Sequence, residues 1–116
     1  MSKRILVVDD DESISYSLAM LLREEGYLVD TADVGEAEIF IKEKTYDVCF
    51  FDYKMGRLNG LDLCRMTKDV NPQCLVFILS GMVGIDRLCN KLADGIFIKP
   101  FDGDALLQKV KDSLQV

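Results

Sequence analysis

The chain has 116 residues, a formal net charge of −6 and a composition that is 49% hydrophobic. This length allows one domain with one core, so neither a catalytic cap nor an output domain is expected within the chain. The acidic balance argues against a nucleic-acid surface, because phosphate binding needs clustered positive charge. The apolar runs are too short to span a bilayer, and a strand begins almost at the N-terminus. Neither a membrane segment nor a signal peptide is therefore expected.

Cysteine usage predicts a reduced, cytoplasmic protein. The sequence contains four cysteines and no histidine, and no two cysteines have Cys-x-x-Cys spacing. A zinc site is therefore not expected. We interpret the thiols as small apolar side chains of a cytoplasmic protein. They are Cys49, Cys64, Cys74 and Cys89.

The first half of the chain alternates short apolar runs with amphipathic segments. The runs at Arg4–Val8, Leu28–Ala32 and 46–51 are short and near-continuous, which predicts buried strands. Between them, apolar residues recur at helical spacing. This spacing predicts a first helix that ends at Gly26 and a second helix over 35–44.

The second half continues the same alternation of strand and helix. A helix is predicted from Leu61, and it ends before Pro72 because proline cannot continue it. Asp102 is predicted to cap the last helix. The other predicted features are a strand at 74–79, a short helix carrying Ile85, Leu88 and Leu92, a strand at 96–98, and Leu106, Val110 and Leu114 on the inner face of the last helix.

The alternation of apolar strands with amphipathic helices predicts the fold class, which is α/β. Strands of this kind form a parallel sheet covered by helices on both faces. We predict a doubly wound, flavodoxin-like sheet of five strands in the order 2-1-3-4-5. In that order, strands one and three lie side by side where the connections change direction, and ligands bind beyond their carboxyl ends.

Four of the predicted strands end on polar side chains. These side chains are Asp9, Asp10 and Asp11, then Asp52, then Ser80, then Lys99. Taken alone, the first three aspartates could simply turn the chain and cap the first helix. Together, however, the carboxyl ends of parallel strands would bring carboxylates, a hydroxyl and an ammonium group to one edge of the sheet. Such a set predicts a site for a divalent metal ion and a phosphoryl group.

The carboxylates at this edge are suited to metal binding and to nucleophilic attack. Two carboxylates about 4 Å apart repel by roughly 4 kcal/mol at an effective dielectric constant of 20, so three would not all stay ionised without a cation. Mg²⁺ (or Mn²⁺) would relieve that repulsion. Asp52 could attack phosphorus to form an acyl phosphate, while Lys99 and the Ser80 hydroxyl bind phosphoryl oxygens.

Over nearly its whole length the chain resembles a response-regulator receiver domain of two-component signal transduction. The segments that carry the resemblance are residues 5–11, Asp52 with Met55 and Gly60, residues 79–81 and residues 99–101. The resemblance implies that Asp52 is the phosphoacceptor and that Ser80 and Lys99 bind the phosphoryl group. The metal ligands that it implies are Asp9, Asp10, Asp52 and the backbone carbonyl of Lys54.

The chain departs from the family pattern at several positions. Gly56 follows the methionine where the family commonly has proline, which should loosen that loop. Ile96 stands where an aromatic side chain usually reports phosphorylation, and Phe97 cannot replace it because neighbouring strand residues face opposite sides. The stretch from Ser80 to Lys99 is also short, so we expect an abbreviated helix there. We hypothesise retained phosphorylation chemistry with an unusual signalling surface.

Three residues are candidate modulators of the phosphorylated state. Lys54 lies two residues after Asp52 and could reach over a phosphoryl group, although it could equally be a solvated loop lysine. Met82 lies two residues after Ser80 and could shield the acyl phosphate from water, or it could pack locally. Ile96 is the third candidate, because of the aromatic side chain that it replaces.

The resemblance also implies the partners. A histidine kinase or histidine phosphotransfer protein would supply the phosphoryl group, and a downstream effector or an output domain outside this chain would receive the signal. Binding of nucleic acid or membrane by this domain is not expected. The chain would catalyse its own aspartyl phosphorylation and dephosphorylation without being a turnover enzyme. Its sequence does not distinguish a stand-alone receiver from part of a longer regulator.

The sequence is compatible with two other functions. The first is a pseudo-receiver, an interaction module that is not phosphorylated, which Ile96 and the short fourth helix would suit. The second is a small phosphohydrolase of the haloacid-dehalogenase type, since Asp9 and Asp11 satisfy an Asp-x-Asp pattern after a first strand. The hydrolase would leave Asp52 without a purpose.

Overall fold

The structure is a computed structural model that describes residues 2–82, 84 and 92–115. Its strands are β1 (Arg4–Val8), β2 (Leu28–Ala32), β3 (Val48–Asp52), β4 (Lys54–Met55), β5 (Leu58–Asn59), β6 (Leu75–Ser80) and β7 (Gly95–Ile98). Its helices are α1 (Glu12–Glu24), α2 (Val34–Glu43), α3 (Gly60–Val70) and α4 (Gly103–Leu114). Across the described segments, no helix has both the length and the apolar character that a bilayer crossing requires.

Five strands form one parallel sheet in the order β2-β1-β3-β6-β7. Strands β4 and β5 form a separate antiparallel hairpin and do not join this sheet. The five parallel strands therefore have the predicted order 2-1-3-4-5, and the predicted doubly wound α/β fold is confirmed. Strands β1 and β3 lie side by side at the centre, as that order requires.

The sheet is covered on both faces. Alternate residues of each strand point to opposite sides, so Leu6 and Val8 belong to one buried cluster while Ile5 and Val7 belong to the other. The first cluster includes buried residues of α2 and α3, and the second includes buried residues of α1 and α4. This two-sided burial explains why the strands read as near-continuous apolar runs rather than as alternating ones.

Acidic and amide side chains fix where the helices begin. Asp11 caps α1 by accepting hydrogen bonds from the backbone N–H groups of Ser13 and Ile14. Asp102 caps α4 in the same way, which confirms the predicted cap. Helices α2 and α3 begin with reciprocal capping boxes, formed by Asp33 with Glu36 and by Asn59 with Asp62. Because these helices begin at the carboxyl end of the sheet, the capping hydrogen bonds also fix the loops at the edge where the predicted site residues lie.

The structure differs from the sequence prediction in a few places. The third strand extends through Asp52 instead of ending before it, and it begins at Val48. The predicted loop after this strand contains the β4–β5 hairpin, whose turn includes Gly56 at a φ of 73°. Of the helix predicted to carry Ile85, Leu88 and Leu92, only Leu92 lies within the described residues.

Candidate functional site

The sheet topology brings the predicted site residues to one edge. Because β1 and β3 are neighbours in parallel register, the loop that follows Val8 lies beside the end of β3 at Asp52. Ser80 ends β6, next to β3 in the sheet, and pairs with Ile98 at the end of β7, directly before Lys99. The polar groups are thus far apart in sequence but adjacent in space.

Asp9, Asp10 and Asp52 form a cluster of three carboxylates. One carboxylate oxygen from each lies within 4.8 Å of the others. The side chain of Asp9 is fully buried and that of Asp52 is 10% exposed, whereas Asp10 faces solvent. The cluster therefore has a buried floor and an open side, as a site that admits a ligand from water requires.

Lys99 is the cation that faces this cluster. Its Nζ lies 2.8 Å from Asp9 Oδ2 and 3.2 Å from Asp52 Oδ1. The other oxygen of Asp9 accepts a hydrogen bond from the backbone N–H of Asp11 at 2.9 Å. Asp9 is thus held on both oxygens, which fixes the position of the ammonium group beside Asp52.

The charges in the cluster shift the pKa values of its members. Burial, followed by the charge of Asp9, raises the pKa of Asp52 from 3.8 to about 6, even though Lys99 acts in the opposite direction. Burial alone would lower the pKa of Lys99, but its interactions with Asp9 and Asp52 outweigh burial and raise it. One ammonium group therefore does not fully offset the three carboxylates.

This imbalance fits a divalent metal ion. The donors are carboxylate oxygens, which hard cations prefer, and their mutual repulsion would be relieved by a second positive charge. The side chains that would hold such an ion are Asp9, Asp10 and Asp52. Within the described parts of the chain, this is the one group of three or more acidic or thiol side chains with ligand atoms so close together.

Ser80 lies at the edge of the same site. Its side chain is buried, and its Oγ accepts a hydrogen bond from the backbone N–H of Met82 at 2.9 Å. The backbone oxygen of Ser80 also accepts a hydrogen bond from the N–H of Lys99, at 2.7 Å. These two bonds fix the hydroxyl near the loop that carries Lys99, while the side chain of Met82 is 42% exposed beside it.

The hairpin after Asp52 carries Lys54 on its exposed side. Lys54 pairs with Asn59, directly before α3, and the tip of the hairpin is tied to α2 by an ion pair between Arg57 and Glu38 at 3.1 Å. From the sequence, this segment is expected to be a loop that Gly56 loosens. The turn at Gly56 has the positive φ that glycine favours, but pairing of the two short strands and the ion pair hold the segment.

Ile96 and Phe97 point to opposite faces of the sheet, as alternation along a strand requires. Ile96 pairs with Ile78 and packs against the cluster on the α2 and α3 face. Phe97 packs on the other face, with its ring centroid 5.6 Å from that of Phe77 and 6.3 Å from that of Phe50. Phe97 is therefore part of an aromatic core and is directed away from the position of Ile96.

Asp11 has a structural role in place of a site role. Its carboxylate caps α1, with Oδ1 2.9 Å from the N–H of Ser13. An Asp-x-Asp phosphohydrolase would need Asp9 and Asp11 together at the reacting phosphorus, whereas Asp9 is grouped here with Asp10 and Asp52. The geometry therefore does not favour the hydrolase alternative.

Comparisons with known proteins point to one family. The family model described as "response regulator receiver domain" matches residues 5–111. The cell cycle response regulator CtrA of Brucella ovis is 32% identical over 111 residues, which cover 92% of this chain and 48% of that protein. The chain thus spans about half the length of the curated relatives that it matches.

Solved structures agree with that match. A CheY-like response regulator receiver domain protein from Methanospirillum hungatei JF-1 superimposes with a TM-score of 0.89 at 29% identity, covering 98% of this chain and 94% of the other. A two-component response regulator from Clostridium difficile superimposes with a TM-score of 0.90 at 27% identity, covering 98% and 97%.

Proposed function

This chain belongs to the response regulator receiver domain family, and we propose that it is a phosphoryl-accepting signalling switch whose phosphoacceptor is Asp52. The observation that carries the proposal is the position of the Asp52 carboxylate. It ends the central strand β3, faces Asp9 and Asp10, and lies 3.2 Å from the Lys99 ammonium group. A nucleophile, a metal-binding carboxylate set and a fixed cation therefore converge at one place.

In the proposed reaction, a carboxylate oxygen of Asp52 attacks the phosphorus of a phosphohistidine. The new bond joins this oxygen to phosphorus, the bond between phosphorus and the histidine nitrogen breaks, and that nitrogen keeps the electron pair and takes up a proton. Lys99 neutralises charge on the transferred oxygens, and the Ser80 hydroxyl donates a hydrogen bond to one of them. The donor is a histidine kinase or a histidine phosphotransfer protein.

Mg²⁺ (or Mn²⁺) is the proposed cofactor. Asp9, Asp10 and Asp52 would hold it, and the family resemblance adds the backbone carbonyl of Lys54 as a further ligand. The bound ion would supply positive charge that neutralises the carboxylates and the phosphoryl oxygens. The raised pKa of Asp52 supports this assignment, because a second cation would return the carboxylate to the ionised form that attacks phosphorus.

The proposed output is a change in contacts with another protein or domain. The domain undergoes modification at its own Asp52, so we propose a signalling role instead of turnover of a substrate, in the cytoplasm. The relatives that it matches are about twice as long as this chain. The receiver of the signal is therefore proposed to be either a downstream effector or an output domain outside this chain.

Intact-protein mass spectrometry after incubation with acetyl phosphate tests the proposal. We expect one phosphoryl adduct that requires Mg²⁺, is lost in Asp52→Asn and is retained in Asp69→Asn, which alters an exposed aspartate on α3. The same samples should be tested with a phosphorylated histidine phosphotransfer protein. A folded, Mg²⁺-binding protein that takes up no phosphoryl group from either donor would contradict the proposal and establish a pseudo-receiver.

A further inference from the structure

Two polar residues join the hairpin β4–β5 to the start of α3. Asn59 Oδ1 accepts a hydrogen bond from the backbone N–H of Asp62 at 3.0 Å. In return, Asp62 Oδ2 accepts a hydrogen bond from the backbone N–H of Asn59 at 3.1 Å. Asn59 is thus both the last residue of β5 and the residue that caps α3. This capping box connects the hairpin to a helix whose inner face is buried.

The hairpin register directs the carbonyl of Lys54 away from the opposite strand. Lys54 lies opposite Asn59. In an antiparallel ladder, hydrogen-bonded and non-hydrogen-bonded pairs alternate. The N–H of Gly60 donates to the carbonyl of Tyr53 at 2.9 Å, and this bond lies one residue outside the pair of Lys54 with Asn59. That pair is therefore a non-hydrogen-bonded one, so the Lys54 carbonyl points away from Asn59.

This direction suits the proposed role of the Lys54 carbonyl as a ligand to Mg²⁺, because the ladder does not use it. The residues on either side of Lys54 are fixed. The N–H of Tyr53 donates to the carbonyl of Leu79 on β6 at 2.8 Å, and Met55 is buried. The peptide plane that carries the Lys54 carbonyl can still rotate, since the dihedral angles on its two sides are soft. Its direction therefore depends on the cross-strand partner of Lys54, which is Asn59.

We propose that Asn59 is a positioning residue for the metal ligand at Lys54. Its capping hydrogen bonds hold Asn59 in an extended conformation, with a φ of −109° and a ψ of 170°, and so keep the strand opposite it in register. The Lys54 carbonyl then has one direction before the ion arrives, and binding does not have to order it. The inference rests on the proposed function, because it takes this carbonyl to be a ligand. Asn59 acts through the hairpin and not by contact with the ion.

The ion pair at the tip of the hairpin is less suited to this role. Arg57 lies 3.1 Å from Glu38, but its side chain is 64% exposed. Exposed ion pairs contribute little, because water and salt screen them. The capping box instead includes the residue that Lys54 faces.

Calorimetric Mg²⁺ titration of paired serine and alanine variants tests the role of Asn59. Serine and alanine are both uncharged, but only serine caps a helix well. Asn59→Ser should therefore keep the Mg²⁺ affinity of the wild-type protein, whereas Asn59→Ala should bind Mg²⁺ about three- to tenfold more weakly. Without Mg²⁺, the amide hydrogen of Gly60 should also exchange faster in Asn59→Ala, because its bond to Tyr53 belongs to the ladder that the capping box supports.

The matched control is the capping box of α2, in which Asp33 and Glu36 make the same two hydrogen bonds. Asp33→Ser and Asp33→Ala lose the same charge and differ in the cap alone. At both positions the alanine variant should have a lower midpoint of urea unfolding than the serine variant. The two Asp33 variants should nevertheless bind Mg²⁺ equally well, because that cap does not hold the hairpin.

Equal Mg²⁺ affinities of Asn59→Ser and Asn59→Ala would overturn the role of Asn59 and leave the metal site and phosphorylation of Asp52 standing. An equally large difference between the two Asp33 variants would also overturn it, since loss of any cap would then suffice. A wild-type protein that binds no Mg²⁺ would refute the proposed metal site and this role together. Should Asn59→Ala fail to fold, Asp62→Asn and Asp62→Ala decide the question, because both are uncharged and only asparagine can accept the hydrogen bond from Asn59.

Discussion

Gly60, the first residue of α3, lies directly against the backbone of Asp52. A Cβ atom on Gly60 would be 2.7 Å from the carbonyl oxygen of Asp52 and 3.1 Å from a methyl group of Ile78. The N–H of Gly60 also donates to the carbonyl of Tyr53 at 2.9 Å. The start of α3 thus sets the position of the strand end that presents the proposed phosphoacceptor.

Replacing Gly60 with alanine should therefore affect both stability and phosphorylation. The added methyl group meets backbone, which cannot rotate away, so we expect a loss of about 1–3 kcal/mol in the free energy of unfolding and slower phosphorylation of Asp52. Urea unfolding and phosphorylation rates with acetyl phosphate measure the two effects. The control is Gly35→Ala in α2, where the nearest atom is 3.4 Å away and alanine favours the helix. Equal behaviour of the two variants would contradict this role of Gly60.

The raised pKa of Asp52 predicts that stability falls as pH rises without divalent ions. Between about pH 4 and pH 6 the folded protein keeps a proton on Asp52 that the unfolded chain has already released. Since the native state binds more protons there, the free energy of unfolding decreases through this window, by about 2–3 kcal/mol. Urea unfolding in EDTA at a series of pH values measures the decrease.

Asp52→Asn isolates this effect, because the amide does not titrate. The variant should become progressively more stable than the wild-type protein as pH rises from 4 to 7, and saturating Mg²⁺ should reduce the difference. A difference that is independent of pH would show that the pKa of Asp52 is not raised by its surroundings.

The fold could be predicted from sequence because its signals are local and repeated. The strands of the parallel sheet are near-continuous apolar runs, each described helix has an apolar face, and the known handedness of parallel connections limits the topology. The meeting of Asp9, Asp52 and Lys99 also follows, because parallel strands place their carboxyl ends at one edge. The two ion pairs of Lys99, at 2.8 Å to Asp9 and 3.2 Å to Asp52, are seen only in the structure.

Other features depend on distances that sequence patterns do not contain. The close approach of Gly60 to the backbone of Asp52 is a distance between the start of α3 and the end of β3, so the sequence shows the glycine without its physical reason. The hairpin itself has strands of only two residues, too short for a periodic signal. The hydrogen bond between the sulfur atoms of Cys74 and Cys49, 3.7 Å apart, joins residues 25 positions apart in sequence, which no spacing motif predicts.

Lys99→Met should weaken the fold while strengthening metal binding. Removal of the ammonium group leaves the carboxylates of Asp9 and Asp52 to repel each other, so we expect a loss of about 2 kcal/mol in the free energy of unfolding in EDTA at pH 7. At pH 8, however, Mg²⁺ should bind several-fold more tightly, because it no longer faces a fixed positive charge.

Calorimetric titration with Mg²⁺ and urea unfolding test this pair of effects. Lys109→Met is the matched control, since it removes the same charge from an exposed position on α4. It should leave both quantities nearly unchanged. Weaker Mg²⁺ binding by Lys99→Met at pH 8 would contradict the proposed arrangement of the cation beside the metal ligands.

Met82→Ala should shorten the lifetime of the phosphorylated state. The side chain of Met82 is 42% exposed next to Ser80, whereas its N–H bond to the Ser80 hydroxyl belongs to the backbone and survives the substitution. A smaller side chain admits water to the acyl phosphate, so we expect dephosphorylation to be several-fold faster. Loss of the adduct with time, followed by intact mass after removal of the donor, measures the lifetime.

Two further variants show whether a shorter lifetime of the phosphorylated state is specific to Met82. Met20→Ala is the control, because Met20 on α1 is also 42% exposed. It should leave the lifetime unchanged. Lys54→Ala tests the second proposed modulator, whose ammonium group would act on the phosphoryl group by charge. Any change in lifetime caused by Lys54→Ala should therefore diminish at high salt, whereas the change caused by Met82→Ala should not. Lifetimes equal to the wild type in both Met82→Ala and Lys54→Ala would end these two assignments and leave dephosphorylation to the buried residues of the site.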